Sequence, residues 1–154
     1  MYKKILVPLD GSEISACSLD HVKDLAMSCR VPEVVLMIVV EPMSSQAVAA
    51  YAQAGVDIAG VEKKSDVDAR EYLEKLANEF DVPGVKTYAA VVRGNPAEQI
   101  MEYADKNNVD LVIMSTRGRS GLSRWVMGSV TDKVVGHSTV PVLTISPAGC
   151  REKS

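Results

Sequence analysis

The sequence predicts an open α/β sheet of parallel strands with helices on both faces. Three observations carry this expectation. Five short apolar runs recur along the 154 residues, segments able to form helices lie between them, and four of the runs are almost continuously apolar and β-branched. Continuous apolar strands belong to parallel sheets covered on both faces, and strands separated by helices belong to βαβ units with right-handed crossovers.

The first run is Lys4 to Leu9, ending in Asp10, Gly11 and Ser12. The segment Ser12 to Cys29 then sets Ile14, Cys17, Leu19, Val22, Leu25 and Ala26 near helical spacing, with Ser12 as N-cap. The second run is Glu33 to Val40. Glu41 to Gly60 breaks the rhythm: Pro42, Met43, Ser44 and Ser45 precede an alanine-rich patch without strong periodicity. It reads as a long connection, either a lid or a loop extending into the next helix. That helix, Asp57 to Phe80, carries an intermittent stripe of Val61, Ala69, Leu73, Leu76 and Phe80, and its Glu62, Asp66, Asp68, Glu71 and Glu74 read as a solvated face. The third run, Lys86 to Val92, alternates more than the others and suits a less enclosed strand. Pro96 to Asn107 is helical, with Asn95 as cap, Pro96 at the first position and Ile100, Tyr103 and Ala104 toward the sheet. The fourth run is Leu111 to Met114, the last helix Ser129 to His137, and the fifth run Val140 to Ile145.

Length and composition fit one domain, residues 1–147, with a frayed tail over 148–154; apolar residues make up 47% and charged residues 24%. A formal net charge of −3 gives no global basic field, which argues against nucleic acid as a partner. Cys17, Cys29 and Cys150 are odd in number and lack a CxxC or Cys/His cluster, so they are expected to be reduced thiols, with no metal site, in a cytoplasmic protein. The apolar run in MYKKILVPLD is too short for a signal peptide or a membrane span.

The chemistry is expected where the strands end, because ligands of open α/β sheets bind outside the carboxyl ends of the strands. Asp10 follows the first strand, Val39 and Val40 end the second, and Ser115 to Gly121 follow the fourth. Asp10 is placed to accept hydrogen bonds from a ribose or a base; the plainer reading of Asp10, Gly11 and Ser12 is turn and cap chemistry. In Asp110 to Val130, DLVIMSTRGRSGLSRWVMGSV, an apolar strand gives way to a glycine-containing loop and then to Gly128 and Ser129 at a helix start. The N–H groups of Ser129, Val130 and Thr131 would point at phosphate oxygens, with the hydroxyls of Ser129 and Thr131 as further donors. Neither GxxxxGK[ST] nor a GxGxxG after the first strand is present, which excludes the two commonest phosphate-binding loops.

The opening KKILVPLDGSE, the middle VRGNPAEQIMEYADKNNVDLVIMSTRGRSGLSRWVMGSV and the ending DKVVGHSTVPVLTI resemble the universal stress protein family over nearly the whole chain, least in Glu41 to Lys64. The resemblance implies a doubly wound, Rossmann-like sheet of five parallel strands in the order 3-2-1-4-5, and a homodimer formed through the last strand, Val142 to Ile145. Nucleotide-binding members resemble the pattern Gly-x-x-Gly, nine residues, Gly-Ser or Gly-Thr. Here Gly118, Gly128 and Ser129 match, and Ser115 stands where the leading glycine would be. By this similarity Asp10 would meet ribose or adenine, and Pro8 and Val39 would flank the adenine. Ser115, Thr116, Arg117, Gly118, Arg119, Ser120 and Gly121, with Gly128, Ser129, Val130 and Thr131, would hold ribose and phosphates. The ligand implied is ATP, alone or with Mg²⁺. Ser115 would weaken the site if that position required φ > 0.

Arg117, Arg119 and Arg124 match phosphate geometry or are merely solvated. Trp125 and Met127 are expected to pack under the loop. His21 and His137 lack a readable Ser, Cys or carboxylate partner, so no catalytic residue is assigned. Three functions follow: a dimeric ATP-binding stress protein acting on an unidentified protein partner, a slow ATP hydrolase, or a dimeric interaction module without nucleotide.

Overall fold

The computed structural model describes residues 1–116 and 127–146. Strands β1 (Lys4–Leu9), β2 (Glu33–Val40), β3 (Lys86–Arg93), β4 (Leu111–Ser115) and β5 (Val142–Ile145) pair in parallel in the order β3-β2-β1-β4-β5. Helices α1 (Glu13–Ala16), α2 (Ser18–Cys29), α3 (Ser45–Gln53), α4 (Ile58–Glu79), α5 (Pro96–Lys106) and α6 (Ser129–His137) join them. The doubly wound architecture and its strand order are those the sequence implied.

The sheet divides the core into two layers. Ile5, Val7 and Leu9 of β1, Val34, Leu36 and Ile38 of β2, and Leu111 and Ile113 of β4 pack with Leu19, Val22 and Ala26 of α2 and Leu73 of α4. The alternate residues Leu6, Val35, Met37, Val112 and Met114 pack on the opposite face with Ala97, Ile100 and Ala104 of α5 and Val134 of α6. Successive side chains of a strand point to opposite faces, so a strand covered twice must be apolar at every position. This is the origin of the continuous runs. Strand β3 lies at the edge and has no fully buried residue, in keeping with its weaker apolar pattern.

The helix starts follow their caps. Ser12 Oγ accepts from Ser15 N at 3.1 Å, and Asn95 Oδ1 accepts from Glu98 N at 3.3 Å ahead of Pro96. Two expectations need correction. The helix expected over Ser12 to Cys29 is broken at Cys17 into α1 and α2. The Glu41 to Gly60 connection is partly helical, since Ser45–Gln53 form α3, capped by Ser44 Oγ at 3.2 Å from Ala47 N. None of its residues is buried, so no apolar period marks it; alanine content and the cap form it instead.

Cysteine state also differs from expectation. Cys29 is a free thiol. Cys17 is disulfide-bonded, which departs from the reduced-thiol reading for that residue.

Asp110, just before β4, ties the chain start to the sheet. Its Oδ2 accepts from Lys3 N at 2.7 Å and from Lys4 N at 2.8 Å. The Lys3 N–H, helped by that of Lys4 and opposed by partial burial, holds the carboxyl below its ordinary value of 3.8.

Leu6, in the central strand and fully buried, sets the scale of core stability. Leu6→Ala is expected to lower the unfolding free energy by about 2–5 kcal/mol in urea titration. By contrast, Tyr51→Ala on α3 (Tyr51 is 41% exposed) is expected to change it by about 0.5 kcal/mol or less. A second expectation follows from Asp110. A carboxyl whose folded pKa is depressed stabilises the fold above its unfolded pKa, and loses that contribution as pH falls through the folded value. Asp110→Asn therefore lowers Tm at neutral pH, and the gap from wild type closes at acid pH; thermal melts across that range would show an unchanged gap if the linkage were absent.

Candidate nucleotide-binding cleft

A cleft of about 810 Å³ opens at the carboxyl ends of β1, β2 and β4. Its floor is Pro8, Leu9 and Asp10 from β1 and its turn, Ile38, Val39 and Val40 from β2, and Met114 and Ser115 from β4. The crossover reverses direction at β1, where β2 lies on one side and β4 on the other, so neighbouring helices leave a crevice there that side chains cannot fill. Gly128, Ser129, Val130 and Thr131 close the β4 side, and Ser65, Asp68, Ala69 and Tyr72 of α4 face them from the β2 side.

Asp10 forms the expected turn and also lines the cleft. Oδ1 accepts from Ser12 N at 2.9 Å and from Ser12 Oγ at 2.6 Å, forming the turn that begins α1, while the residue lines the cleft. Gly11 sits at φ 81, a conformation that favours glycine. The turn fixes the carboxylate at the cleft floor, because its orientation and the start of α1 are one hydrogen-bonded unit.

At the end of β4 the chain is knotted by main-chain contacts. Thr116 N donates to Ile145 O at 2.9 Å, and Thr116 O accepts from Gly128 N at 2.8 Å. A Cβ on Gly128 would stand 3.3 Å from Thr116 O, tighter than a side chain normally tolerates, so close approach and not φ calls for glycine there. Gly128 precedes α6 without a side-chain cap, and the ladder begins with Asp132 N to Gly128 O at 2.9 Å. The first-turn N–H groups of Ser129, Val130 and Thr131 have no partner within the helix and carry its positive dipole end. An anion is the complementary group.

Ser115 lies in extended β4, buried, in register with Ile145, and it is not among the positive-φ residues. Serine is therefore accommodated without backbone strain. Thr131 corrects one expectation: its hydroxyl donates to Ser115 O at 2.9 Å, locking α6 to β4, and is not directed to a ligand. Thr116 is outside the cleft wall and acts through its main chain. Arg117, Gly118, Arg119, Ser120 and Gly121, with Arg124 and Trp125, lie outside the described residues. Met127, expected to pack under the loop, is exposed.

The α4 wall is the part sequence reasoning missed. Of the expected solvated face, Asp68, Glu71 and Glu74 are exposed, with Asp68 also at the edge of the cleft, whereas Glu62 and Asp66 pair with Arg93 at the end of β3. The available signal was Arg93 opposite two acids four apart, on one helix face. Lys64 Nζ donates to Asp68 Oδ2 at 2.7 Å, and that bond raises the Lys64 pKa. The charged side chains among the described lining residues are Asp10, Glu41 and Asp68. The lining is largely apolar, with carboxylate acceptors at Asp10, Glu41 and Asp68 and main-chain donors at α6. Among the described residues, no group of three His, Cys, Asp or Glu is arranged to hold a metal, and no helix is long and apolar enough to cross a membrane.

Residues 1–146 match the universal stress protein family. The chain belongs to that family. Universal stress protein MJ0531 of Methanocaldococcus jannaschii is 34% identical over 146 residues, covering 94% of this chain and 82% of its own. Universal stress protein MJ0577 of the same organism is 31% identical, covering 94% of this chain and 95% of its own. The solved structure of MJ0577 superposes with a TM-score of 0.79 over 100% of this universal stress protein and 99% of the other, at 30% identity. Two more distant structures share the fold: a universal stress protein in complex with cAMP (TM-score 0.63, 21% identity, 95% of this chain and 98% of that one) and an Arabidopsis thaliana family protein with AMP bound (TM-score 0.61, 18% identity, 94% and 91%).

The Thr131 hydroxyl is the testable part of the β4–α6 junction. Thr131→Val, nearly isosteric, is expected to cost about 1 kcal/mol in chemical denaturation through loss of the bond to Ser115 O.

Proposed function

We propose that this universal stress protein binds an adenine nucleotide, ATP by preference, in the cleft between β1 and β4, and acts as a homodimer through β5. One observation carries the reading: the N-terminus of α6, with no side-chain cap, and the turn-fixed carboxylate of Asp10 line the same cleft. Phosphates suit the first, and the hydroxyls of a ribose or the amine of a base suit the second. The cleft volume of about 810 Å³ falls in the range of small-molecule sites. Extended Ser115 supports the reading, since it removes the steric objection to a serine there. The nucleotides named for the two distant structures are of the same class as the ligand proposed here. Mg²⁺, where present, would arrive on the phosphates, because the described wall offers no cluster to hold it alone.

Dimerisation is supported by β5, which pairs with β4 on one side and exposes Leu143 (39%) at the sheet edge. An apolar edge strand favours pairing across a two-fold axis. Among the described residues, none is arranged for turnover. Chemistry at a γ-phosphate needs a positioned nucleophile and charge stabilisation, and the described charged lining residues are all acidic.

Denaturing freshly purified protein should release about one adenine nucleotide per chain. The stripped protein should be stabilised on adding Mg-ATP, by about 2.7 kcal/mol at ~100 times Kd, and the Gly128→Val, Ser129→Ala double variant should lose that shift. No released nucleotide and no thermal shift, with the dimer intact, would instead identify an interaction module.

A further inference from the structure

We propose that Arg93 is a positioning residue for the cleft: it latches the N-terminal half of α4 onto the sheet and so sets the wall formed by Ser65, Asp68, Ala69 and Tyr72. This inference rests on the nucleotide-binding reading for its ligand but on separate observations for its geometry. Within α4 Leu73 is buried, and Ala69 and Tyr72 pack partly buried against the same core, whereas the turns before Ala69 place no residue in it. Arg93 supplies the hold. Its Nη2 donates to the Glu62 carbonyl at 2.7 Å and to Asp66 Oδ2 at 3.0 Å, Nε donates to the same Oδ2 at 3.1 Å, and Nη1 lies 3.7 Å from Glu62 Oε1.

Exposed ion pairs contribute little to stability, but this one is half-buried, brings two guanidinium donors onto one carboxylate oxygen and includes a main-chain acceptor, which makes it directional. Asp66 Oδ1 is buried without a hydrogen-bond partner, so loss of Arg93 would leave the whole carboxylate unsatisfied and drive that turn of α4 toward water. The same residue grips the floor. Arg93 is in register with Val40, and Gly94 N donates to Val40 O at 3.1 Å, with Gly94 at φ 140 and its Cβ position 2.9 Å from Gln99. Arg93 therefore joins the ends of β2 and β3 to the helix turns that carry Ser65, Asp68 and Ala69, while itself standing outside the wall. Lysine cannot replace it, because one ammonium cannot reproduce the planar fork that spans Asp66 and the Glu62 carbonyl.

The test compares wild type, Arg93→Ala, Arg93→Lys and Asp66→Asn, with Lys75→Ala as a control that removes the Lys75–Glu79 pair farther along α4. Hydrogen exchange over residues 58–69 and calorimetric Kd values for AMP and ATP are the readouts. Arg93→Ala should speed exchange over that stretch and weaken both nucleotides by about tenfold. Arg93→Lys should fall between, and Lys75→Ala should match wild type. Asp66→Asn keeps the latch testable should Arg93→Ala fail to fold, with the same expected direction. Unchanged exchange over 58–69 would overturn the latch. Faster exchange with unchanged Kd would overturn the positioning role while leaving nucleotide binding intact. A wild-type protein that binds neither nucleotide would overturn the functional reading and the ligand part of this inference, with exchange still deciding the latch.

Discussion

The cleft depends on how the chain leaves β4. Thr116 uses its N–H on Ile145 and its carbonyl on Gly128, so the strand end, the edge strand and the start of α6 meet at one residue's main chain. Thr131 adds a buried hydroxyl bond from the first turn of α6 back to Ser115. These contacts fix where the positive end of α6 points. Elsewhere the cleft requires only that the neighbouring helices diverge, which the reversal of strand order at β1 ensures. Without the β4–α6 knot the helix dipole would have no fixed relation to Asp10.

The two ends of the cleft are built by different physics. At α6 the donors are main-chain groups whose charge is permanent and independent of pH. Away from α6 the polar groups are side chains, among them Asp10 after β1, Glu41 after β2 and Asp68 on α4. A ligand with a polyanionic head and a body rich in donors is oriented by this asymmetry before any shape fit is considered. The acidic end repels phosphates, so the orientation follows from what each end refuses as well as from what it accepts. Asp10 is held in its turn by Ser12, which couples the position of its carboxylate in the cleft to the start of α1.

Much of the fold was legible because burial on both faces forces every position of a central strand to be apolar. Val34 to Ile38 and Leu111 to Met114 display that rule without interruption. Caps were legible for the same kind of reason: Ser12 and Asn95 supply a specific acceptor at a fixed distance along the chain. The floor of the site was legible through Asp10, Val39, Gly128 and Ser129, which stand where strands end and a helix begins. Helix α3 was not, since a helix with no buried residue leaves no period to read. Nor was the role of Asp68, because a charged residue on a charged helix face carries no sign of which neighbour it meets. Thr131 was identified at the right place but with the wrong partner; hydroxyl direction is decided by packing against β4, which is a tertiary fact.

Ser115 has a consequence that reaches beyond this chain. Its extended backbone at the end of β4 means the position asks for a small side chain and a strand conformation, which serine supplies as readily as glycine. Gly128, by contrast, is constrained by the carbonyl of Thr116 close to where its side chain would begin. These two of the motif's three glycine positions are therefore under unequal constraint, one by volume and one by contact. A pattern that insists on glycine at the first demands a torsional freedom this backbone does not use.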